Sequence, residues 1–146
     1  MKQYIVQNQK GFTLIELLIV ISIVGILTSI LTVNFIGVRQ RGRDAQRKSN
    51  IRQIQSAFEL YKTDQSNYPS SLPACGSSLV DPINGTTIYM RTIPCDPLGG
   101  SYQYQGTSTT YTLVACIENS NDADSTKIQP TGFNCASGNY FVVTNP

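Results

Sequence analysis

Residues 12–38 read FTLIELLIVISIVGILTSILTVNFIGV, 27 positions in which Glu16 carries the sole charge. As an α-helix rising about 1.5 Å per residue, this stretch reaches roughly 40 Å, more than the roughly 30 Å hydrocarbon core of a bilayer. A helix that is apolar nearly all round has to be buried in lipid or among other helices. Thr13, Ser22, Thr28, Ser29, Thr32 and Asn34 are scattered along it. Gly25 and Gly37 are small residues of the kind that let helices approach closely in lipid. A carboxylate placed that deep costs about 2.5–3.5 kcal/mol on insertion scales, so Glu16 points to a function and a partner.

With 146 residues there is room for this rod and one modest domain. The chain lacks histidine and tryptophan, and beyond Asn67 it is rich in Pro, Gly, Ser, Thr, Asn and Tyr. It shows no phosphate-cradling glycine loop and no nucleophile with a neighbouring base, so neither an enzymatic activity nor a cofactor is expected. Residues 1–11, MKQYIVQNQKG, carry Lys2 and Lys10 and no acid. A basic leader before an apolar run has the outline of a secretory signal. Here, however, the run far exceeds the roughly 7–15 residues of a signal core, and no small-x-small site follows it. A plain N-terminal membrane anchor is one reading of these features.

A second reading is more specific. Lys10-Gly11-Phe12-Thr13-Leu14-Ile15-Glu16-Leu17-Leu18 resembles the class III signal of type IV pilins and of type II secretion pseudopilins. The resemblance rests on the basic residue, the glycine, the phenylalanine, the glutamate four residues on and the long apolar run. It implies cleavage between Gly11 and Phe12 on the cytoplasmic side by a prepilin peptidase/methylase, with Phe12 N-methylated and the apolar segment retained. It further implies a single-pass protein of the inner or cytoplasmic membrane, its N-terminus cytoplasmic, partnered by an assembly platform in that membrane. After assembly the resemblance implies an extracellular or periplasmic filament of copies of the chain. A residue without Cβ at Gly11 suits an extended backbone approaching a membrane protease.

Four residues of helix place Glu16 about 6 Å along the axis from the Phe12 amine, roughly one turn. Parallel, axially staggered rods would bring the carboxylate of one copy near the free amine of another, removing two uncompensated charges. The helix macrodipole also favours an anion there, but only by about 0.3–1 kcal/mol. Assembly is therefore the role expected of Glu16. Pilins often carry a proline a little beyond a glycine in this region; this chain has Gly25 but no proline before Pro69, so a continuous helix is expected.

Residues 39–64 turn amphipathic. Ile51, Ile54, Phe58 and Tyr61, with Ala57 alongside, fall on one helical face. Gly42 is a possible bend, and the stripe should be covered by a C-terminal sheet. The run RDAQRKSNIRQIQSAFELYK also resembles, less diagnostically than the leader, the same stretch of pseudopilin-like pilins. Arg39, Arg41, Arg43, Arg47, Lys48 and Arg52 set six cations against Asp44. Three partners suit such a run: an anionic lipid surface, a nucleic acid, or the acidic heads of neighbouring subunits. Residues 12–64 carry seven basic and four acidic side chains, and residues 65–146 two basic and five acidic, which favours staggered packing of stem against head. With the leader inside, these arginines lie on the outer side, against the positive-inside tendency.

From residue 65 on, NYPSSLP and DPINGTT read as turns, and strands are expected over 88–92, 101–105, 110–116 and 139–144. DPLGGSYQYQ resembles the DP-x-G-x-x-Y stretch of major secretion pseudopilins. Cys75, Cys95, Cys116 and Cys135 all lie here, an even count that reads as disulfides in an extracytoplasmic, loop-rich domain. Three pairings exist; Cys75–Cys95 with Cys116–Cys135 closes one loop over each irregular stretch. With no histidine and no C-x-x-C pair, zinc is not expected. Glu118, Asn119, Asn121, Asp122 and Asp124 make an oxygen-rich run, and the resemblance implies calcium in a C-terminal loop. The spacing lacks the glycine and terminal carboxylate of an EF-hand, so a solvated turn is the favoured account, with Glu118, Asn121, Asp122 and Asp124 as calcium candidates.

The expected architecture is α+β and pilin-like. A leader over 1–11 precedes a membrane and filament-core half-helix over 12–38 and an amphipathic half-helix over 39–64, packed on a small antiparallel, disulfide-bonded head over 65–146. The expected function is a pilin polymerising into a type IV pilus for adhesion, motility or DNA uptake. A pseudopilin of type II secretion and a non-polymerising surface protein are the alternatives.

Overall fold

The computed structural model describes residues 11–146, without the side chains of residues 32–34. The leader assigned to residues 1–11 therefore lies, Gly11 excepted, outside the described residues. The chain divides into two compact units between Gly37 and Val38.

One helix, α1 (Leu14–Gln65), supplies the first unit and opens the second. No proline interrupts it, and it continues through Gly25, Gly37 and Gly42. In the first unit the apolar side chains stand exposed, from Phe12 and Leu14 to Ile30 and Leu31. Its hydroxyls are satisfied by the helix itself: Ser22 donates to the Leu18 carbonyl, Thr28 to Val24 and Ser29 to Ile26. Such back-bonding removes the penalty of an unpaired hydroxyl in an apolar medium.

In the second unit α1 ends where Ser66 adopts a left-handed φ of 60° and its N–H bonds back to the Lys62 carbonyl. Pro69 follows shortly, where a helix could not continue. A two-stranded sheet pairs β1 (Leu79–Val80) with β2 (Ile88–Met90). A three-stranded antiparallel sheet, in order β3-β4-β5, is built from β3 (Gln103–Gly106), β4 (Tyr111–Cys116) and β5 (Tyr140–Thr144). Leu113 faces Tyr104 on one side and Val143 on the other. The alternation of side chains along a strand then sorts the core. Tyr111, Leu113, Ala115, Phe141 and Val143 cluster with Ile51, Ile54, Ala57, Phe58 and Tyr61 of α1, as the helical stripe requires. Val114 and Tyr140 point the other way and meet Phe133 and Cys135 of the β4–β5 connection. The central strand is thus covered on both faces. Phe58 anchors the cluster, with Tyr104 and Tyr111 edge-on to it at 5.1 and 5.3 Å.

The strands differ from the sequence expectation mainly at their ends. β2 stops at Met90 because Arg91 and Thr92 bend away. β3 begins at Gln103 because Ser101 accepts the Cys75 N–H and Tyr102 turns inward to Asn50. β1 has no counterpart among the expected strands, since two residues leave no periodicity to read.

Candidate functional site

Two places carry chemistry. At the start of α1, Thr13 and Glu16 cap each other. The Thr13 N–H and hydroxyl both donate to Glu16 Oε2, at 2.9 and 2.7 Å, and the Glu16 N–H donates to Thr13 Oγ1 at 3.3 Å. This reciprocal arrangement is a capping box, and it satisfies helix-end donors that would otherwise lack a partner within the helix. Oε1 accepts no bond among the described residues. Gly11 and Phe12 precede the box in exposed, non-helical chain.

The second place is a charged latch between the Val38–Gln65 part of α1 and the loops of the head. Asp44, Arg47, Lys48 and Ile51 follow the same three- and four-residue spacing as the apolar stripe, so the inward face of the helix simply changes from apolar to ionic. Arg47 is buried at 3% exposure and lies among three carboxylates. Its guanidinium donates to Asp44 at 2.8 Å, to Glu118 at 2.6 Å, and to Asp96 through Nε and Nη2 at 2.6 and 2.9 Å. Arg43 grips Glu118 bidentately at 2.8 and 2.5 Å. Asp44, 1% exposed, accepts the Glu118 and Asn119 backbone N–H groups at 3.0 and 2.8 Å. Lys48 Nζ donates to Asp122 and Asp124 at 2.6 and 2.7 Å.

Local sequence aims these acids. Asp96 opens a tight turn in which its carboxylate accepts the Leu98 N–H and its carbonyl the Gly99 N–H. Gly99 and Gly100 both adopt φ above +90°, a conformation that glycine reaches without strain. Glu118 stands two residues beyond the end of β4. Asp122 accepts the Asp124 N–H, and its own N–H bonds the Asn119 carbonyl, so the loop is a chain of short side-chain turns.

The electrostatics follow from this geometry. Hydrogen bonds from Arg43, with Arg47 adding to them against partial burial, bring Glu118 down to about 2. Burial works to raise Asp96, but bonding to Arg47 outweighs it and lowers the carboxyl. Asp122 is lowered by its bond to Lys48. Burial works to lower Lys48, and its bonds to Asp122 and Asp124 win, raising it. Among the described residues no buried side-chain polar atom lacks a partner.

Of the six cations in the basic run, Arg43, Arg47 and Lys48 are thus taken up by the chain's own head, while Arg39, Arg41 and Arg52 are exposed. The acidic heads of neighbouring subunits, proposed as partners from charge arithmetic, have an intramolecular competitor. The calcium candidates do not converge: Glu118 turns to the arginines, Asp122 and Asp124 to Lys48, and the exposed Asn121 bonds its backbone N–H to Asn119. No group of three or more acidic, Cys or His side chains suited to a metal occurs among the described residues. Cys75 is bonded to Cys95 and Cys116 to Cys135. The sequence reading missed Asp44 and Asp96 as site residues. The available signal was a lone acid among cations at the helical spacing of the apolar stripe.

An apolar, glutamate-bearing N-terminal helix carrying a small antiparallel head defines the class of pilins and pseudopilins. Residues 6–32 match the prokaryotic N-terminal methylation motif, and residues 34–128 match the family model of type II secretion system protein G. The chain belongs to the type II secretion system protein G family. It is similar to the type II secretion system core protein G of Klebsiella michiganensis, 35% identical over 104 residues covering 66% of this chain and 73% of the relative. The Vibrio cholerae core protein G is 31% identical over 120 residues, 75% of this chain and 82% of the relative. That of Escherichia coli is 30% identical over 102 residues, 65% and 70%. No solved structure matches the chain. These relatives back the secretion alternative over the type IV pilus.

Proposed function

We propose that this chain is a non-enzymatic structural subunit, a pseudopilin of a type II secretion system. It is cleaved after Gly11, methylated on Phe12, and polymerised through residues 12–38 into a periplasmic filament on an inner-membrane platform. The observation that carries this reading is the protein G match over residues 34–128, directly after the methylation motif over residues 6–32. The exposed apolar helix supports it, since such a surface needs lipid before assembly and other helices afterwards. Glu16 supports it as well: Thr13 occupies one carboxylate oxygen and leaves the other for the Phe12 amine of a neighbouring copy. The latch eases the conflict with the positive-inside tendency, because Arg43, Arg47 and Lys48 are neutralised by the chain's own head.

Co-expression with a prepilin peptidase and an assembly platform tests the proposal. Short filaments of this chain in a sheared fraction, lost when either component is omitted, are the expected result. A chain that stays monomeric in the membrane with both components present overturns it. Long surface filaments would instead place the chain in a type IV pilus, the reading that the two head disulfides favour. Nucleic-acid binding draws less support, since Arg43, Arg47 and Lys48 of the basic run are engaged by the chain's own head.

A further inference from the structure

The acidic β4–β5 connection and Lys48 form an arrangement that the assembly reading does not use. The connection leaves β4 at Cys116 and returns at Asn139, and its first half carries Glu118, Asp122 and Asp124. A run of carboxylates in a loop repels itself unless a cation sits among them. Family resemblance suggests calcium for that role, and the residues here do not fit it. Glu118 is turned away to two arginines, and the position between Asp122 and Asp124 holds an ammonium 2.6 and 2.7 Å from one oxygen of each. That ammonium is not a mobile surface group. Lys48 stands on α1 one residue after the buried Arg47, its side chain is 22% exposed, and it lies 5.8 Å from the centre of the Phe141 ring. Asp122 is only 15% exposed and is fixed by the Asp124 N–H, while the Asp124 carboxylate, 67% exposed, reaches the same ammonium. The Cys116–Cys135 bridge and the two N–H bonds to Asp44 close the loop at its base.

We propose that Lys48 is the built-in cation of this loop, so that the head holds its acidic connection without a divalent metal. Removing the ammonium would leave two carboxylates aimed at one point, the start of a divalent-cation site. This inference stands independently of filament assembly and concerns the subunit alone.

Thermal unfolding of the full chain in detergent tests it, with millimolar calcium or with a chelator, in the parent and in Lys48→Met. The parent should melt at one temperature in both solutions. Lys48→Met should melt about 5 °C lower with chelator and recover part of that loss with calcium. Adding Asp122→Asn to Lys48→Met should abolish the recovery. Lys48→Arg, which keeps the charge, should remain indifferent to calcium. A parent that is stabilised by calcium overturns the proposal, and that measurement stands even if Lys48→Met fails to fold. So does a Lys48→Met chain as stable as the parent, or one that calcium does not touch.

Discussion

Replacing Arg47 by methionine is the most informative perturbation of the head. The side chain is almost wholly buried, and its guanidinium bonds Asp44, Asp96 and Glu118. Removing one member of a buried ionic cluster typically costs about 3–5 kcal/mol, because the remaining charges stay buried without their counter-ion. The structure places this case near the low end. Glu118 keeps both bonds from Arg43, Asp44 keeps two backbone N–H groups, and Asp96 keeps the Leu98 N–H. Methionine also fills much of the volume. A loss of about 3 kcal/mol is expected, which for a head of this size lowers the melting temperature by roughly 13 °C. Near-ultraviolet circular dichroism of the full chain in detergent would follow it, since seven of the eight tyrosines, all but Tyr4, lie at residue 61 or beyond and there is no tryptophan. Adding Asp96→Asn should return part of the loss by removing one uncompensated anion, an interaction a double-mutant cycle would measure. An Arg47→Met chain melting within about 2 °C of the parent would refute the latch as a stabilising element.

Other consequences can be checked alongside. Arg41→Met, at an exposed position of the same helix, should change stability by no more than about 0.5 kcal/mol in the same melt. Glu118, Asp96 and Asp122 have folded-state pKa values below their ordinary ones, so their contribution is complete above the ordinary carboxylate range and is lost as protons bind the folded state. Melting temperature should therefore fall steadily from about pH 4.5 towards pH 2, and Arg43→Met should flatten that fall. The Cys116–Cys135 bridge spans 19 residues, and its replacement by two serines should cost about 3 kcal/mol in denaturant unfolding. Glu16→Ala should leave the head's melt unchanged while abolishing filaments in the shearing assay, and equal filament yield would remove the assembly role.

The parts of the fold that were legible in the sequence are those governed by periodicity. Ile51, Ile54, Phe58 and Tyr61 announced a buried helical face, and the β-branched and aromatic content of TYTLVA and NYFVVT announced strands. Turn-bounded ends and the two-residue β1 were not legible, because disulfide-tied loops rather than strand patterns set them. Charge was read in sign but not in partner. The sequence shows a basic stem and an acidic head. Whether Arg47 meets its own Glu118 or a neighbour's depends on the turn at Asp96–Gly100 and on where β4 ends, and no local pattern encodes either. Asp44 illustrates the same limit: among cations it reads as a helix-surface ion pair, yet it is a buried acceptor for two loop N–H groups.

The central claim is that the apolar helix is a retained filament stem freed by cleavage at the Gly11–Phe12 bond. N-terminal sequencing with intact mass, on chain purified from membranes of cells carrying a prepilin peptidase, tests it most directly. The account predicts a start at Phe12 with one added methyl group. An intact Met1, or a start downstream of the apolar run, would contradict it.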